Sequence, residues 1–418
     1  MIKQIICLIL LSICLVNAAN EIALCSFKSV NLTGTLYMGY NAASKLSLYF
    51  TGSQKLTFIV HNTGDLNAPL SSSTVMGSSP LTCGGTSGYL GNFAGSTLTL
   101  SANTDVNAQV IAGQKSIVGY VVAAYPNAPS ECATISYASL GDVIATCVVG
   151  ISDLSPTETS IPQDFINGVE IDVSLPNGAQ PYIDTTQSGQ NAYCQFFETQ
   201  KYTDNQNFSG SAFFSYNSAY GTTTITATFR GIDRLSSHGL HIHTYGDLTN
   251  VNGLSVGGHW SVSGNVHALP STANRHLGDI GNVCTYLDLD AYYKFTTSYF
   301  TFGENGLNPI GRGMALHRSR DDGTTTSFGD RIATCVIGIV PNQGTPAYPV
   351  TIPSRLTFDP NAICVKSSTT ESSTTTTPTT SSASSSTTGT YEPVSPASLV
   401  QLSIFFYTII VIVLIVLV

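Results

Sequence analysis

The sequence has 418 residues, of which only 10% are charged, and its net charge is −9 at pH 7. This length predicts two domains rather than one, and the negative charge argues against a nucleic acid as a partner. Short runs rich in Val, Ile, Thr and Tyr, such as KLTFIV and TTTITATF, are broken by Gly, Asn and Pro. That pattern is typical of an all-β protein.

Residues 1–19 predict a secretory signal peptide. One Lys precedes an apolar run, and small residues follow near an expected cleavage at Ala18 or Ala19. Export favours disulfides over buried free thiols for the remaining cysteines, because an exported chain enters an oxidising compartment. Asn31 and Asn207 lie in N-x-S/T sequons and are predicted glycosylation sites.

Residues from about 20 to 155 and from about 190 to 345 indicate a tandem duplication. The matching stretches are 140–151 (LGDVIATCVVGI) with 328–339 (FGDRIATCVIGI), and 56–66 with 238–248. A polar segment containing Pro and Gly, residues 156–190, is the predicted linker. We therefore expect a first β domain at 20–155 and a second at 191–365.

Histidines are concentrated in the second copy. Side chains two apart in a strand point to one face, so His241 and His243 can reach one ion. Neutral imidazoles suit copper as well as zinc, and three imidazoles with one carboxylate suit tetrahedral zinc. The candidate ligands are His241, His243, His259, His267, His276, Asp279 and His317.

These motifs resemble those of the copper/zinc superoxide dismutase family, over about residues 190–345. The matching pieces are HIHTYGD (241–247), GGHW (257–260), RHLGDIGNV (275–283), GRGMALH (311–317) and GDRIATCVIGI (329–339). The resemblance implies two tandem Greek-key β-sandwich domains. It also implies conversion of superoxide anion to dioxygen and hydrogen peroxide by copper redox cycling, with zinc in a structural role.

The resemblance further implies one copper, one zinc and a role for each site residue. Asp321 would tie a copper histidine to a zinc histidine, and Arg331 would attract and orient superoxide. His259 would bridge the two metals and pass a proton to the product. The implied ligands are His241, His243, His259 and His317 for copper, and His259, His267, His276 and Asp279 for zinc.

The first copy lacks most of these residues, so we expect no metal there. Only His61 remains, opposite His243. Aligned by their letters, the replacements are Ile59 for His241, Tyr89 for His276, Asn92 for Asp279, Ala124 for His317 and Val143 for Arg331. The first copy is interpreted either as a pseudo-dimer partner of the second or as a rigid spacer, and a homodimer of chains stays open.

The eight cysteines outside the signal peptide allow many pairings. The repeat suggests one disulfide in each copy, joining its first strand to its last, and the other four cysteines then pair by remainder. The hypothesis is Cys25 with Cys147, Cys194 with Cys335, Cys83 with Cys132 and Cys284 with Cys364.

The C-terminal region predicts membrane attachment. Residues 366–398 are rich in Ser and Thr and read as a disordered, O-glycosylated stalk. Residues 399–418 are almost wholly apolar, with no basic residue after them. This favours a GPI signal over a spanning helix and places the protein on the outer face of the plasma membrane. The candidate attachment residues are Ser384, Ser385, Ser386 and Gly389.

Three other functions remain as alternatives. The first is a non-catalytic cell-surface interaction module that uses the same fold. The second is a copper chaperone, which would need a C-x-C or M-x-C-x-x-C motif that the sequence lacks. The third is a zinc-only or storage site, against which the His-x-His pair with His317 favours copper.

Overall fold

The computed structural model describes fourteen parts of the chain. They are residues 21–40, 46–76, 88–95, 97–99, 117–129, 134–153, 165, 191–204, 207–233, 236–262, 264–285, 290–302, 307–324 and 328–340. The expected signal peptide, stalk, attachment residues and apolar tail lie outside them, as does the linker except for Phe165. We call residues 21–153 the first half and residues 191–340 the second half.

The first half consists of two sheets. Its strands are β1 (Glu21–Lys28), β2 (Thr33–Tyr40), β3 (Leu46–Phe50), β4 (Leu56–His61), β5 (Tyr89–Phe93), β6 (Thr97–Thr99), β7 (Val121–Tyr125), β8 (Ala145–Val148) and β9 (Gly150–Asp153). One sheet has the order β9-β1-β2-β3-β6 and the other β5-β4-β7-β8. All the pairings are antiparallel.

The second half repeats this order in one continuous sheet. Its strands are β10 (Asn191–Gln195), β11 (Phe197–Glu198), β12 (Ser209–Asn217), β13 (Thr222–Arg230), β14 (Ser237–His243), β15 (Asp279–Thr285), β16 (Asp290–Thr297), β17 (Gly313–His317), β18 (Arg331–Val336) and β19 (Gly338–Val340). They run β19-β10-β12-β13-β16-β15-β14-β17-β18-β11. In the first half β3 skips β4 and β5 to pair with β6, and in the second half β13 skips β14 and β15 to pair with β16. Both connections are Greek-key crossovers. The prediction of a tandem all-β chain is confirmed.

Residue alternation explains why these segments form half-buried strands. Along Thr222–Arg230, Ile225, Ala227 and Phe229 are fully buried, and the threonines between them are mostly half-buried. Period-two alternation of this kind places one face of a strand on the core. β14 differs because both of its faces are covered, so all seven of its residues are buried.

Two described disulfides join the first and last parts of each half. Cys25 in β1 is bonded to Cys147 in β8, with Cα atoms 5.5 Å apart. Cys194 in β10 is bonded to Cys335 in β18, with Cα atoms 5.7 Å apart. Cys284 is also disulfide-bonded, whereas its expected partner and the expected Cys83–Cys132 pair lie outside the described residues.

The two halves contact each other through matched backbone hydrogen bonds. Ile151 of β9 donates its N–H to Gly311 O at 2.9 Å and accepts from Gly246 N–H at 2.8 Å. Ile339 of β19 makes the corresponding pair: it donates to Gly119 O at 2.7 Å and accepts from Gly64 N–H. The last strand of each half therefore makes the same two bonds to the other half, as in a two-fold contact between identical surfaces.

Short 3-10 segments occur at Ser72–Thr74, Tyr137–Leu140 and Leu254–Val256. None of the helices in the described part of the chain has the length and apolar character that crossing a bilayer requires. Asn31 and Asn207, the two sequon residues, are both exposed.

Candidate metal centre

Strand pairing brings three of the predicted ligands together. His241 and His243 lie two apart on β14, where they pair with Ala315 and Gly313 of β17. His317 ends β17 and pairs with Arg331 of β18. An isolated bridge places His259 beside His243. Two adjacent strands and one loop therefore hold the four imidazoles that were predicted as copper ligands. We call them the copper group (His241, His243, His259 and His317).

Hydrogen bonds fix the tautomers of two imidazoles in this group. Nδ1–H of His243 donates to Gly257 O at 3.0 Å, and Nδ1–H of His317 donates to Gly329 O at 3.1 Å. Their Nε2 atoms lie 3.4 Å apart. With both protons on Nδ1, the two Nε2 lone pairs point toward each other, and neither can donate a hydrogen bond. A cation between them would relieve this opposition.

His241 presents its other ring nitrogen. Its Nε2–H donates to Asp321 Oδ2 at 2.8 Å. Its Nδ1 is buried and has no hydrogen-bond partner within the described chain. A buried acceptor without a partner costs free energy unless a metal or another donor satisfies it. The orphaned nitrogen of His241 therefore fits a metal ligand.

The imidazoles of the copper group are neutral, as metal binding requires. Burial holds the pKa of His241 and of His243 well below its usual value, and neighbouring His259 adds to the effect. Burial likewise lowers the pKa of His317 to about 3, and the positive charge of Arg331 contributes. Each ring therefore keeps a free lone pair at neutral pH.

The residues predicted as zinc ligands form a second group around Asp279, which we call the zinc group. Its Oδ1 lies 2.7 Å from Nδ1 of His259 and 3.0 Å from Nδ1 of His267, and its Oδ2 lies 3.5 Å from Nδ1 of His276. The ligand atoms of these four residues all lie within 4.8 Å of one another. Burial would raise the pKa of Asp279, but hydrogen bonds from His259 and His267 outweigh it and hold the pKa below its usual range. The set is an anion ringed by three imidazoles, which suits Zn²⁺.

Asp321 connects the two groups. Its Oδ2 accepts from His241 and its Oδ1 accepts from Nε2–H of His267 at 3.0 Å. Burial would lower the pKa of His267, but hydrogen bonds to Asp279 and Asp321 raise it to about 9. One carboxylate thereby orients one imidazole of each group, the arrangement expected around metal ligands.

Sequence reasoning missed three residues that shape the centre. The Asn282 side chain holds the backbone of Asp321: its Nδ2–H donates to Asp321 O and its Oδ1 accepts from Asp321 N–H, each at 2.8 Å. His238 is buried and donates from Nδ1 to His317 O at 2.9 Å. The ring of Phe328 lies 4.7 Å from that of His317. Asn282 follows Asp279 by three residues in the same strand, and that proximity was the only signal available for it.

Arg331 lies at the edge of the copper group. Its Nη1 donates to Gly253 O at 2.9 Å and its Nη2 donates to Gly257 O at 2.7 Å. The Gly257 carbonyl is also the acceptor for His243. The guanidinium is therefore fixed beside His243 by the loop that precedes His259.

In the first half the corresponding position is closed by hydrogen bonds. Nδ1 of His61 lies 2.9 Å from Thr74 Oγ1, and its Nε2 lies 3.1 Å from the hydroxyl of Tyr125. The Thr74 hydroxyl donates to Ser71 O, so it accepts from His61 and leaves Nε2 to accept from Tyr125. The Tyr125 hydroxyl also contacts that of Tyr137.

Strand register corrects three of the aligned replacements. Ala145 pairs with Ala124 as Ala333 pairs with Leu316, so Tyr125, and not Ala124, is opposite His317. Ile59 pairs with Tyr89 as His241 pairs with Asp279, so Tyr89 replaces the aspartate. Asn92 then corresponds to Asn282. Letter matching failed because the intervening loops differ in length, whereas pairing across the sheet fixes the register.

Comparisons with known proteins agree with this geometry. Residues 208–337 match the family model described as copper/zinc superoxide dismutase (SODC). The chain is 31% identical to "Extracellular superoxide dismutase [Cu-Zn] 2" of Dictyostelium discoideum, over 81% of this chain and 82% of that protein. It is 28% identical to "Extracellular superoxide dismutase [Cu-Zn] 3" of the same organism, over 60% and 57% of the two chains.

A third relative matches a shorter part of the chain. "Superoxide dismutase [Cu-Zn] 2" of Brassica juncea is 34% identical over 31% of this chain and 89% of its own length. The fold and the two histidine groups define a metal-binding Greek-key β protein. Taken with these matches, they show that the chain belongs to the copper/zinc superoxide dismutase family.

Proposed function

We propose that this protein is an extracellular, surface-attached superoxide dismutase that converts two superoxide anions and two protons to dioxygen and hydrogen peroxide. The proposed copper ligands are His241, His243, His259 and His317, and the proposed zinc ligands are His259, His267, His276 and Asp279. The observation that carries the proposal is the 3.4 Å approach of two Nε2 lone pairs, on His243 and His317. Copper when bound would supply one-electron redox chemistry, which zinc cannot.

The chain's own residues would supply charge and protons. Arg331 carries a permanent cation that attracts and orients the substrate anion. His259 belongs to both ligand groups and is hydrogen-bonded to Asp279 through Nδ1. We propose that its Nε2 takes up a proton and returns it to the product. Burial lowers the pKa of His259, and the hydrogen bond to Asp279 opposes that effect, which favours a ring that both accepts and releases a proton.

The test compares His317→Ala with Tyr125→Ala, which removes the corresponding side chain of the first half. We expect the purified parent to carry one copper and one zinc and to remove superoxide. His317→Ala should lose about 100-fold or more of the rate and most of its copper, whereas Tyr125→Ala should retain both. A parent that binds metal stoichiometrically without dismutating would favour the interaction-module alternative.

We further propose that the contact between the halves takes the place of a contact between two chains. The support is the paired set of backbone bonds made by Ile151 and Ile339. The two surfaces around β9 and β19, which could each contact a second chain, then contact each other within one chain. Sedimentation of the purified protein should show a monomer, and a stable dimer at micromolar concentration would contradict this.

The proposed location is the outer face of the plasma membrane, through a GPI anchor attached near Ser384–Gly389. The support is the apolar segment at residues 399–418 and the polar, Ser/Thr-rich spacer before it. Phosphatidylinositol-specific phospholipase C should release the protein from intact cells. Release only by detergent would instead favour a spanning helix. Peptide mapping before and after deglycosylation would test Asn31 and Asn207.

A further inference from the structure

Phe328 packs against four imidazoles of the metal centre. Its ring centroid lies 4.7 Å from that of His317, 5.0 Å from His259 and 5.2 Å from both His241 and His267. The imidazole side chains of His241, His259 and His267 are at most 7% exposed. Phe328 itself is half-buried. The ring therefore stands between these imidazoles and solvent.

The backbone holds Phe328 firmly in this place. Phe328 O accepts from Ser319 N–H at 3.0 Å, and Asp330 O accepts from Arg318 N–H at 2.7 Å. These bonds extend the pairing of β17 and β18 beyond their ends. Gly239 lies beneath the side chain: a Cβ added there would sit 3.3 Å from the Cβ of Phe328. The glycine thus leaves room for the ring to approach the imidazoles.

Arg331 borders a different part of the copper group. Its guanidinium shares the Gly257 carbonyl with His243. The ring of His243 lies 6.4 Å from that of His241 and 5.6 Å from that of His317. An anion drawn to Arg331 would therefore approach beside His243, whereas Phe328 covers the face formed by His241 and His259. A hydrocarbon ring on that face offers neither charge nor hydrogen bonds to a polar ligand.

We propose that Phe328 determines access to the metal centre: its ring seals the face over His241, His259 and His267 and leaves entry for a small anion on the Arg331 side. The role in selecting ligands rests on the proposed function, since it requires copper in the histidine group. The shielding of the imidazoles does not. Phe328 is in this sense a specificity-determining residue and touches no reacting atom.

The first measurement is exchange of the imidazole C2 hydrogens with deuterium in the purified full chain, read for each histidine by mass spectrometry. The variant is Phe328→Ala, and the matched control is Phe208→Ala, another half-buried ring of the second half. We expect about tenfold faster exchange at His259 and His267 in Phe328→Ala only, since solvent access to the rings limits the rate. His61, buried in the first half, serves as the internal reference.

The second measurement uses copper-loaded protein and two probes of different size. Phe328→Ala should lose copper to the bulky chelator EDTA about tenfold faster than the parent, while its affinity for azide should change by less than about twofold. A structural role alone would not produce this size dependence. A parent that takes up no copper would refute the proposed function, and the exchange measurement would still decide the shielding.

Equal exchange at His259 and His267 in the parent and in Phe328→Ala would overturn the proposal. If Phe328→Ala fails to fold, as judged by faster exchange at His61 as well, Phe328→Leu replaces it. Leucine keeps most of the apolar volume but lacks the flat ring, so it should give an intermediate increase. Exchange in Phe328→Leu equal to that of the parent would then count against the proposal.

Discussion

The hydroxyl of Tyr125 lies 3.1 Å from Nε2 of His61. Register places Tyr125 opposite His317 and His61 opposite His243, a pair whose Nε2 atoms lie 3.4 Å apart. In the first half the Tyr125 hydroxyl thus donates to Nε2 of His61. In the second half the corresponding Nε2, on His243, faces the lone pair of His317. In the first half a hydrogen bond takes the place of the opposed nitrogen pair, and it satisfies the buried histidine in its neutral form.

The buried, neutral imidazole of His61 predicts that the stability of the protein changes with pH. Burial lowers the pKa of His61 to about 4, whereas in the unfolded chain it is about 6.5. Between these values the unfolded chain binds a proton that the folded chain does not, so stability falls as pH drops from about 6.5 to about 4. One such group contributes up to about 1.4 kcal/mol per pH unit in this window.

The measurement is the free energy of unfolding of the parent and of His61→Gln at several pH values. Glutamine does not titrate, so the difference in stability between the two proteins should shrink as pH falls from 6.5 to 4. Other histidines contribute equally to both and cancel. A difference that stays constant with pH would contradict the assignment.

The sequence predicted much of the second half because its pattern is local. Alternation at Thr222–Arg230 was sufficient for a strand, and the two-residue spacing of His241 and His243 was sufficient for a shared face. The replacements in the first half were not local. The loops between the corresponding strands differ in length, so matching letters along the chain could not show which residues pair across β4 and β5. Phe328 lay beyond prediction because its position depends on pairing between a strand extension and a loop.

The two described disulfides should contribute comparably to stability. They close chain segments of 122 and 141 residues, and loop-closure entropy changes little between those lengths. Replacing Cys25 and Cys147 together by Ser, or Cys194 and Cys335 together, should cost about 2–5 kcal/mol. Thermal unfolding of both double variants would check this. A loss several-fold larger for one pair would show that strain or packing, and not closure, dominates.

The contact between the halves should tolerate no side chain at Gly150. A Cβ there would lie 2.1 Å from Gly246 O, so Gly150→Val must separate the backbones that carry the Ile151 bonds. We expect a loss of about 1–3 kcal/mol, the usual cost of overpacking. Metal content should be retained, because the histidine groups lie in the second half.

The control for Gly150→Val is Gly221→Asn. Gly221 has φ of +61°, which asparagine also adopts, and no atom lies within 4 Å of an added Cβ. The free energy of unfolding of Gly221→Asn should lie within about 0.5 kcal/mol of that of the parent. If Gly150→Val is as stable as this control, the halves are not held together by the contact described.

Asn282 should influence metal retention without touching a metal. It bonds both backbone groups of Asp321, whose carboxylate orients His241 and His267. Loss of partners behind metal ligands weakens binding by about 10–100-fold. Asn282 contacts Asp321 and not the ligands themselves, so we expect Asn282→Ala to weaken zinc affinity by about tenfold. Asp321→Asn should weaken zinc affinity more.

The matched control is Asn92→Ala, at the corresponding position of the first half. Asn92 donates to Thr57 Oγ1 at 2.8 Å, so its loss also removes a side-chain hydrogen bond and should lower stability by about 1 kcal/mol. Chelator competition would measure zinc affinity in all three variants. A stability effect alone would affect Asn282→Ala and Asn92→Ala alike, whereas positioning of Asp321 weakens zinc only in the first. Equal zinc affinity in these two variants would therefore show that Asn282 has no role in zinc binding.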